Sequence, residues 1–280
     1  MKPHPLILLA LTACATASAP PQPAAPTPVA KALAYALPSN TATYAFSDTS
    51  SFQIKAPDQS IDVTIADAGT AELAMASATG GIQATVRVLT FAGSMLNSAM
   101  GGGASATEKE IEGNAVLTIT PRGSATVTTM PKLGRSIQSV GLSESFFRRF
   151  FIRLPASSVP IGAVWVDTIQ TVDESSGIKA SVRDISTSTL VGDTTIAGAT
   201  VAVISITAQR KLEISGTNEG VQIAQHLNGS VTGRAYWDRQ KNLLVDRVET
   251  SQLNGTFDLP QMGMSGLPLT AKSVSKMTLR

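Results

Sequence analysis

The chain has 280 residues, with 22 Lys and Arg against 20 Asp and Glu, a formal net charge of +2, and charged residues at only 15%. The charges are scattered, so the clustered Lys and Arg that phosphate binding requires are missing and nucleic acid is excluded as a partner. One cysteine and two histidines exclude a disulfide framework and a Cys-based zinc site, and neither metal nor cofactor is expected.

At the N-terminus, Lys2 precedes the apolar run Leu6 to Ala13. The run is too short to cross a bilayer as a helix, which takes about 20 residues, but it suits the h-region of a secretory signal. It ends in Leu11-Thr12-Ala13-Cys14, which resembles the lipobox of bacterial lipoproteins. That resemblance implies a signal peptide over residues 1–13 and lipidation of Cys14, hence attachment to a membrane. Multiple acyl chains make such an anchor stable, since each buried CH₂ contributes about 0.8 kcal/mol. Residue 15 is Ala rather than Asp, which by the enterobacterial sorting pattern implies the outer membrane, facing the periplasm. Residues 14–39, rich in Ala, Pro and Thr, read as a tether holding a folded domain away from the bilayer.

From residue 40 to 280 the dominant signal is strand alternation. Ile61, Val63 and Ile65 alternate with polar residues, Thr79-Gly80-Gly81 makes a turn, and Ile82, Ala84, Val86 and Val88 share one face. Residues 92–106, with Gly93 and Gly101-Gly102-Gly103, read as a break, and Pro121-Arg122-Gly123 as another turn. Residues 142–154 read as a central amphipathic helix. Ser143 is its N-cap and Pro155 its stop, and Phe146, Phe147, Phe150, Phe151 and Leu154 fall within an arc of about 140°. Arg148, Arg149 and Arg153 fall opposite. Strands resume at Val164, then 178–189 and 200–215. A long hairpin follows, turning at Asp238 to Asn242, with Trp237 expected opposite Leu243 and Arg234 opposite Asp246. After a Gly- and Met-rich loop, 259–268, comes a last strand, 269–279. The short echo of Gly113-Asn114-Ala115-Val116 in Gly233-Arg234-Ala235-Tyr236 raises the alternative of two related β halves, 40–140 and 156–280, joined by the helix.

The arrangement Leu154-Pro155, Val159-Pro160-Ile161-Gly162, Trp165, then Val191-Gly192, then Gly233, Asp238 and Leu243-Leu244 resembles a bacterial family of secreted β-rich lipoproteins. The domain of that family is classed as of unknown function. The resemblance covers residues 40–280 and is clearest over 150–255. It implies a mainly β, antiparallel open half-barrel around a helix, similar to LolA-like lipoprotein carriers. The chain departs from the pattern in having Val164 where an acidic residue often precedes the Trp.

The sequence offers little for catalysis. His226 is the only histidine outside the signal and sits in a strand. Gly263-Met264-Ser265-Gly266 lacks the spacing of a nucleophile elbow. Asp184, Asp193, Asp238 and Asp246 have no metal-loop spacing, and Glu108 and Glu110 read as one face of a strand edge. Binding is better served. The helix, through Phe146 and Phe150, reads as a lining for an apolar ligand or as a cover for the open sheet. Met95, Leu96 and Met100 in one loop, with Met262, Met264 and Leu267 in another, read as an adaptable mouth or as core-end packing. Trp165 and Trp237 complete the candidate ligand contacts. The expectation is a non-enzymatic envelope lipoprotein binding a lipid or other apolar ligand; the alternative is a structural or assembly lipoprotein binding another envelope protein.

Overall fold

The computed structural model describes residues 32–37, 41–99, 102–140, 142–175, 177–218 and 220–280. The signal, Cys14 and Met100 lie outside the described residues.

Long alternating runs rich in Thr, Val and Ile give long antiparallel strands. These are β1 (Ala42–Lys55), β2 (Ser60–Ala78), β3 (Gly81–Asn97), β4 (Gly102–Thr107), β5 (Ile111–Glu112), β6 (Ala115–Ile119), β7 (Ala125–Thr129) and β8 (Lys132–Leu133). After two short helices, α1 (Arg135–Ser139) and α2 (Glu144–Arg148), come β9 (Val164–Ser175), β10 (Ile178–Ile196), β11 (Ala199–Asn218), β12 (Val221–Asp238), β13 (Leu243–Leu259) and β14 (Met264–Leu279). One sheet runs β7-β6-β3-β2-β1-β14-β13-β12-β11-β10-β9, with β4 beside β3, while β5 and β8 pair separately. The main sheet curls through 271° as an antiparallel half-barrel.

Both expected halves share this single sheet, joined where β1 pairs with β14. The sequence echo has a partial counterpart: both segments run into a hairpin, β6–β7 and β12–β13, but Gly113 precedes its strand at φ +90° whereas Gly233 is mid-strand in β12. Residues 92–106 are not a break, since β3 continues to Asn97 and turns back as β4. Glu108 and Glu110 lie in a short 3₁₀ turn rather than on a strand edge. The β12–β13 register also differs from expectation. The turn closes with Asp238 opposite Leu243, which puts Trp237 opposite Leu244; a bulge at Val245 then shifts the register once more and puts Arg234 opposite Val248, so Asp246 instead accepts from the Thr278 hydroxyl. Asp238 Oδ1 caps the turn by accepting from the N–H groups of Gln240 and Lys241, at 2.7 and 2.9 Å.

The central segment is mostly not helix. Only Glu144 to Arg148 is helical; beyond it the backbone bonds to the Tyr35 segment, the β6–β7 turn and β13. Ile152 N–H donates to the Tyr35 hydroxyl at 2.8 Å, Leu154 N–H to the Arg122 carbonyl at 3.0 Å, and the Arg149 carbonyl accepts from Arg247 at 2.8 Å. These bonds substitute for the helical ladder. Ser143 occupies the N-cap position without capping through its side chain. Asp173 on β9 caps instead, accepting from Ser143 Oγ and Ser145 N–H. The segment crosses the concave side at one end of the half-barrel as an aromatic plug. Phe146 stands edge-to-face with Phe46, Phe147 and Phe150, and Phe150 with Tyr44.

The expected tether ends earlier than residue 39. Leu33 and Tyr35 are buried in the same core. The Tyr35 ring stands 4.6 Å from Trp237 and 5.6 Å from Phe151, and its N–H donates to the Pro121 carbonyl.

Candidate functional site

The inward faces of the central strands read apolar, polar, apolar. On β1, Ala42, Tyr44 and Phe46 meet the plug; Asp48 and Ser50 follow; Phe52 and Ile54 end the row. On β13, Leu244 is followed by Arg247, Glu249 and Ser251, then Leu253 and Phe257; on β14, Met277 is followed by Ser275 and Ser273, then Ala271, Leu269 and Leu267. The strands bring the polar stretches to one depth. They wall a half-open chamber of about 580 Å³ between the plug and a second apolar cluster. Arg148, Arg149 and Arg153 of the plug close it from above.

Sequence periodicity places those three arginines on the side opposite the Phe residues. In the structure each meets a carboxylate of the curled sheet. Arg149 pairs with Asp48 of β1 and lies 5.1 Å from the centre of the Phe146 ring. Arg148 pairs with Glu144 and with Asp173 at 3.2 Å, and Arg153 with Asp167 at 3.3 Å. Two further pairs belong to the sheet: Arg210 grips Asp184 with two hydrogen bonds, 2.6 and 2.8 Å, and Arg247 meets Glu249 at 2.6 Å. Glu249 occupies space left by Gly233, directly opposite it on β12, where a Cβ would come 2.7 Å from Glu249 Cγ.

The electrostatics follow from burial and pairing. Burial opposes the Glu249 charge, but the guanidiniums of Arg247, Arg210 and Arg149 outweigh it and hold the carboxyl below its usual range. Burial also opposes the Arg210 charge, and Asp184 outweighs it, so Arg210 is more firmly protonated than usual. For Arg153 burial wins over the attraction of Asp167 and lowers its pKa. Asp67 is the exception. It faces Asp48 directly across the β1–β2 ladder. Burial and the Asp48 charge push its pKa up to about 7, against the pull of Arg149. Its Oδ1 is buried with no hydrogen-bond partner.

Most of the candidate contacts lie elsewhere. Phe146, Phe150 and Trp237 are sealed in the core at 1% exposure or less and cannot line an accessible cavity. Trp165 packs against the same core and donates its indole N–H to the Arg153 carbonyl. Met95 packs inward from β3, whereas Leu96 beside it is exposed; Met264 joins the far apolar cluster, and Met262 is exposed. The structure therefore brings none of these eight positions into one ligand-contacting group. His226 is exposed on β12. Among the described residues no group of three or more His, Cys, Asp or Glu is placed to hold a metal, and no helix is long and apolar enough to cross a membrane.

Asp48, Asp67, Asp184, Arg210, Arg247 and Glu249 form the site that sequence reasoning missed. The signal for it is present: inward positions turn polar on several strands. It becomes readable only once the register sets those positions at one depth.

No protein-family model matches the chain, and no curated protein matches it.

Proposed function

We propose that the protein is a lipid-anchored lipoprotein of the bacterial cell envelope that holds an amphipathic ligand in its half-barrel and performs no chemistry on it. The observation that carries the reading is the half-open chamber of about 580 Å³ with a polar band on its wall and an apolar cluster beyond. That volume lies within the range of small-ligand sites, roughly 300–1,000 Å³. A purely apolar ligand fits this wall poorly, because it would strip water from the ion pairs without replacing its hydrogen bonds. A ligand with a polar head against the hydroxyls of Ser50, Ser251, Ser273 and Ser275 and an apolar tail toward Phe52 and Ile65 fits both zones. A non-enzymatic role is supported by the pairing of Asp48, Asp184 and Glu249 with arginines. It is also supported by the distance in the fold between this band and the exposed His226. The lipobox at Leu11 to Cys14 supports the anchor and, with Ala15, the outer membrane. The half-barrel shape agrees with the resemblance to LolA-like carriers.

The test has two parts. Cells fed an alkyne fatty acid should label the full chain and fail to label Cys14→Ser. Residues 15–280, exported behind an unrelated signal and purified without detergent, should carry a species of defined mass in native mass spectrometry that organic solvent extracts. An empty domain across several preparations counts against the ligand reading and favours the structural or assembly role.

A further inference from the structure

A half-barrel has two free edges, and here they differ. The β7 edge is five residues long, is flanked by Pro121 and Pro131, and is approached by α2 and by the Tyr35 segment. Short length, proline and cover are the usual protections of an edge strand. The β9 edge lacks the first two, and α2 and the plug reach it only on its inner side, through Trp165, Asp167 and Asp173. It is 12 residues long, contains no Pro, Lys or Arg, and pairs only with β10. Its outer face carries Val164, Val166 and Val172 among Thr168, Gln170 and Glu174. Of the twelve most exposed large apolar side chains among the described residues, six lie at this edge: Ile161, Val164, Val166, Val172, Ile185 and Val191. A patch of this kind beside an open ladder marks an interaction surface.

We propose that two copies of this chain pair through β9, antiparallel, across a two-fold axis at Ile169. An antiparallel strand is the one element that always offers its own copy a matching ladder, and the dyad makes the contact closed. The charge pattern selects the occupant and the register. With the axis at Ile169, residues 164–174 pair. Val166 faces Val172 twice on the outer face, Asp167 faces Thr171, and Asp173 faces Trp165, so no like charges oppose each other. An axis at Gln170 would set Asp167 against Asp173, which is unfavourable for directly opposed residues. An axis at Thr168 shortens the paired stretch to 164–172. Asp167 and Asp173 are also neutralised within their own chain by Arg153 and Arg148, so two copies approach without acid repulsion. The apolar patches of both copies then become continuous. This inference stands independently of what the chamber holds.

The test is made on the full chain in intact cells. The double variant Val166→Cys with Val172→Cys, treated with a mild oxidant, should give a disulfide-linked species of twice the chain mass, at least tenfold above Val166→Cys alone. The single variant is the control because its two copies of residue 166 lie roughly 20 Å apart across the axis, and it retains Cys14 equally. In purified wild-type chain, amides of 164–175 should exchange at least tenfold more slowly at high than at low protein concentration. Val166→Lys should abolish that difference while leaving the strand circular-dichroism spectrum unchanged. Absence of the cross-link with concentration-independent exchange overturns the proposal. So does a cross-linked species containing a different protein.

Discussion

Replacing Asp67 by Asn tests the electrostatic account of the chamber. The perturbation is nearly isosteric and removes one titration. In the folded chain the Asp67 carboxyl has its pKa pushed up to about 7 from 3.8, chiefly by burial and then by Asp48. The folded state therefore holds a proton that the unfolded state has released between those two values. Stability falls as pH rises through that window and levels off above the folded pKa. Each unit is worth about 1.4 kcal/mol, so the two units from pH 5 to pH 7 cost at most about 3 kcal/mol. Solvent entering the half-open chamber reduces this to about 1.5–2.5 kcal/mol. The neutral amide of Asp67→Asn carries no such cost, and the remaining titrations are common to both proteins. Urea unfolding of wild type and Asp67→Asn at pH 5, 6, 7 and 8 should show the variant gaining on wild type by that amount between pH 5 and pH 8, at equal m-value. A gap that stays constant within about 0.5 kcal/mol across the series, a resolution set by the linear extrapolation, would refute the buried, raised-pKa carboxyl.

Three other perturbations probe the plug and its seat, and a fourth, Gly162→Ala, is a backbone control. Tyr35→Phe removes the hydroxyl that accepts from Ile152 N–H and leaves a buried donor unpaired, a loss of about 1–3 kcal/mol in denaturant unfolding. Phe150→Ala empties a fully buried site between Tyr44 and Phe146 and should cost about 3–5 kcal/mol, read as a lowered Tm. Gly69→Ala places a methyl against the Thr90 carbonyl and 2.7 Å from Phe46 Cζ. Overpacking there should cost about 1–3 kcal/mol, whereas Gly162→Ala, with no atom within 4 Å of the added carbon but φ at +86°, should be penalised only through its backbone.

The strands are readable because alternation has a period of two and this chain keeps it in many of them, as from Ile82 to Val88. The errors arise where tertiary partners override local pattern. Gly93 and Gly103 read as breakers. Yet Gly93 sits tightly against Phe91 and Val140, and Gly103 against Met95 and Leu96, so they allow β3 and β4 to pack rather than end. Phe146 to Leu154 carries helical spacing, but no local rule knows that the Tyr35 hydroxyl and the Arg122 carbonyl will take its amides. The hairpin closes one residue off the expected pairing, and the bulge at Val245 adds one more. The chamber is hidden for a different reason. Arg149 and Asp48 are 101 residues apart, and each side chain alone looks like an ordinary surface charge. Only the curl of the sheet turns separate inward polar positions into a ring.

The seat of Tyr35 has a mechanical meaning. Any load that reaches the domain along its N-terminal side enters the fold through Leu33 and Tyr35. Tyr35 is wedged between the rings of Trp237 and Phe151 and bonded to the backbone of Pro121 and Ile152. Tension is thus delivered to the aromatic plug itself before it reaches any strand of the sheet. A chain held at a membrane by that end would resist pulling through its best-packed aromatic contacts. If they yield, the plug loosens first, and the chamber roof moves while the sheet still holds its curl.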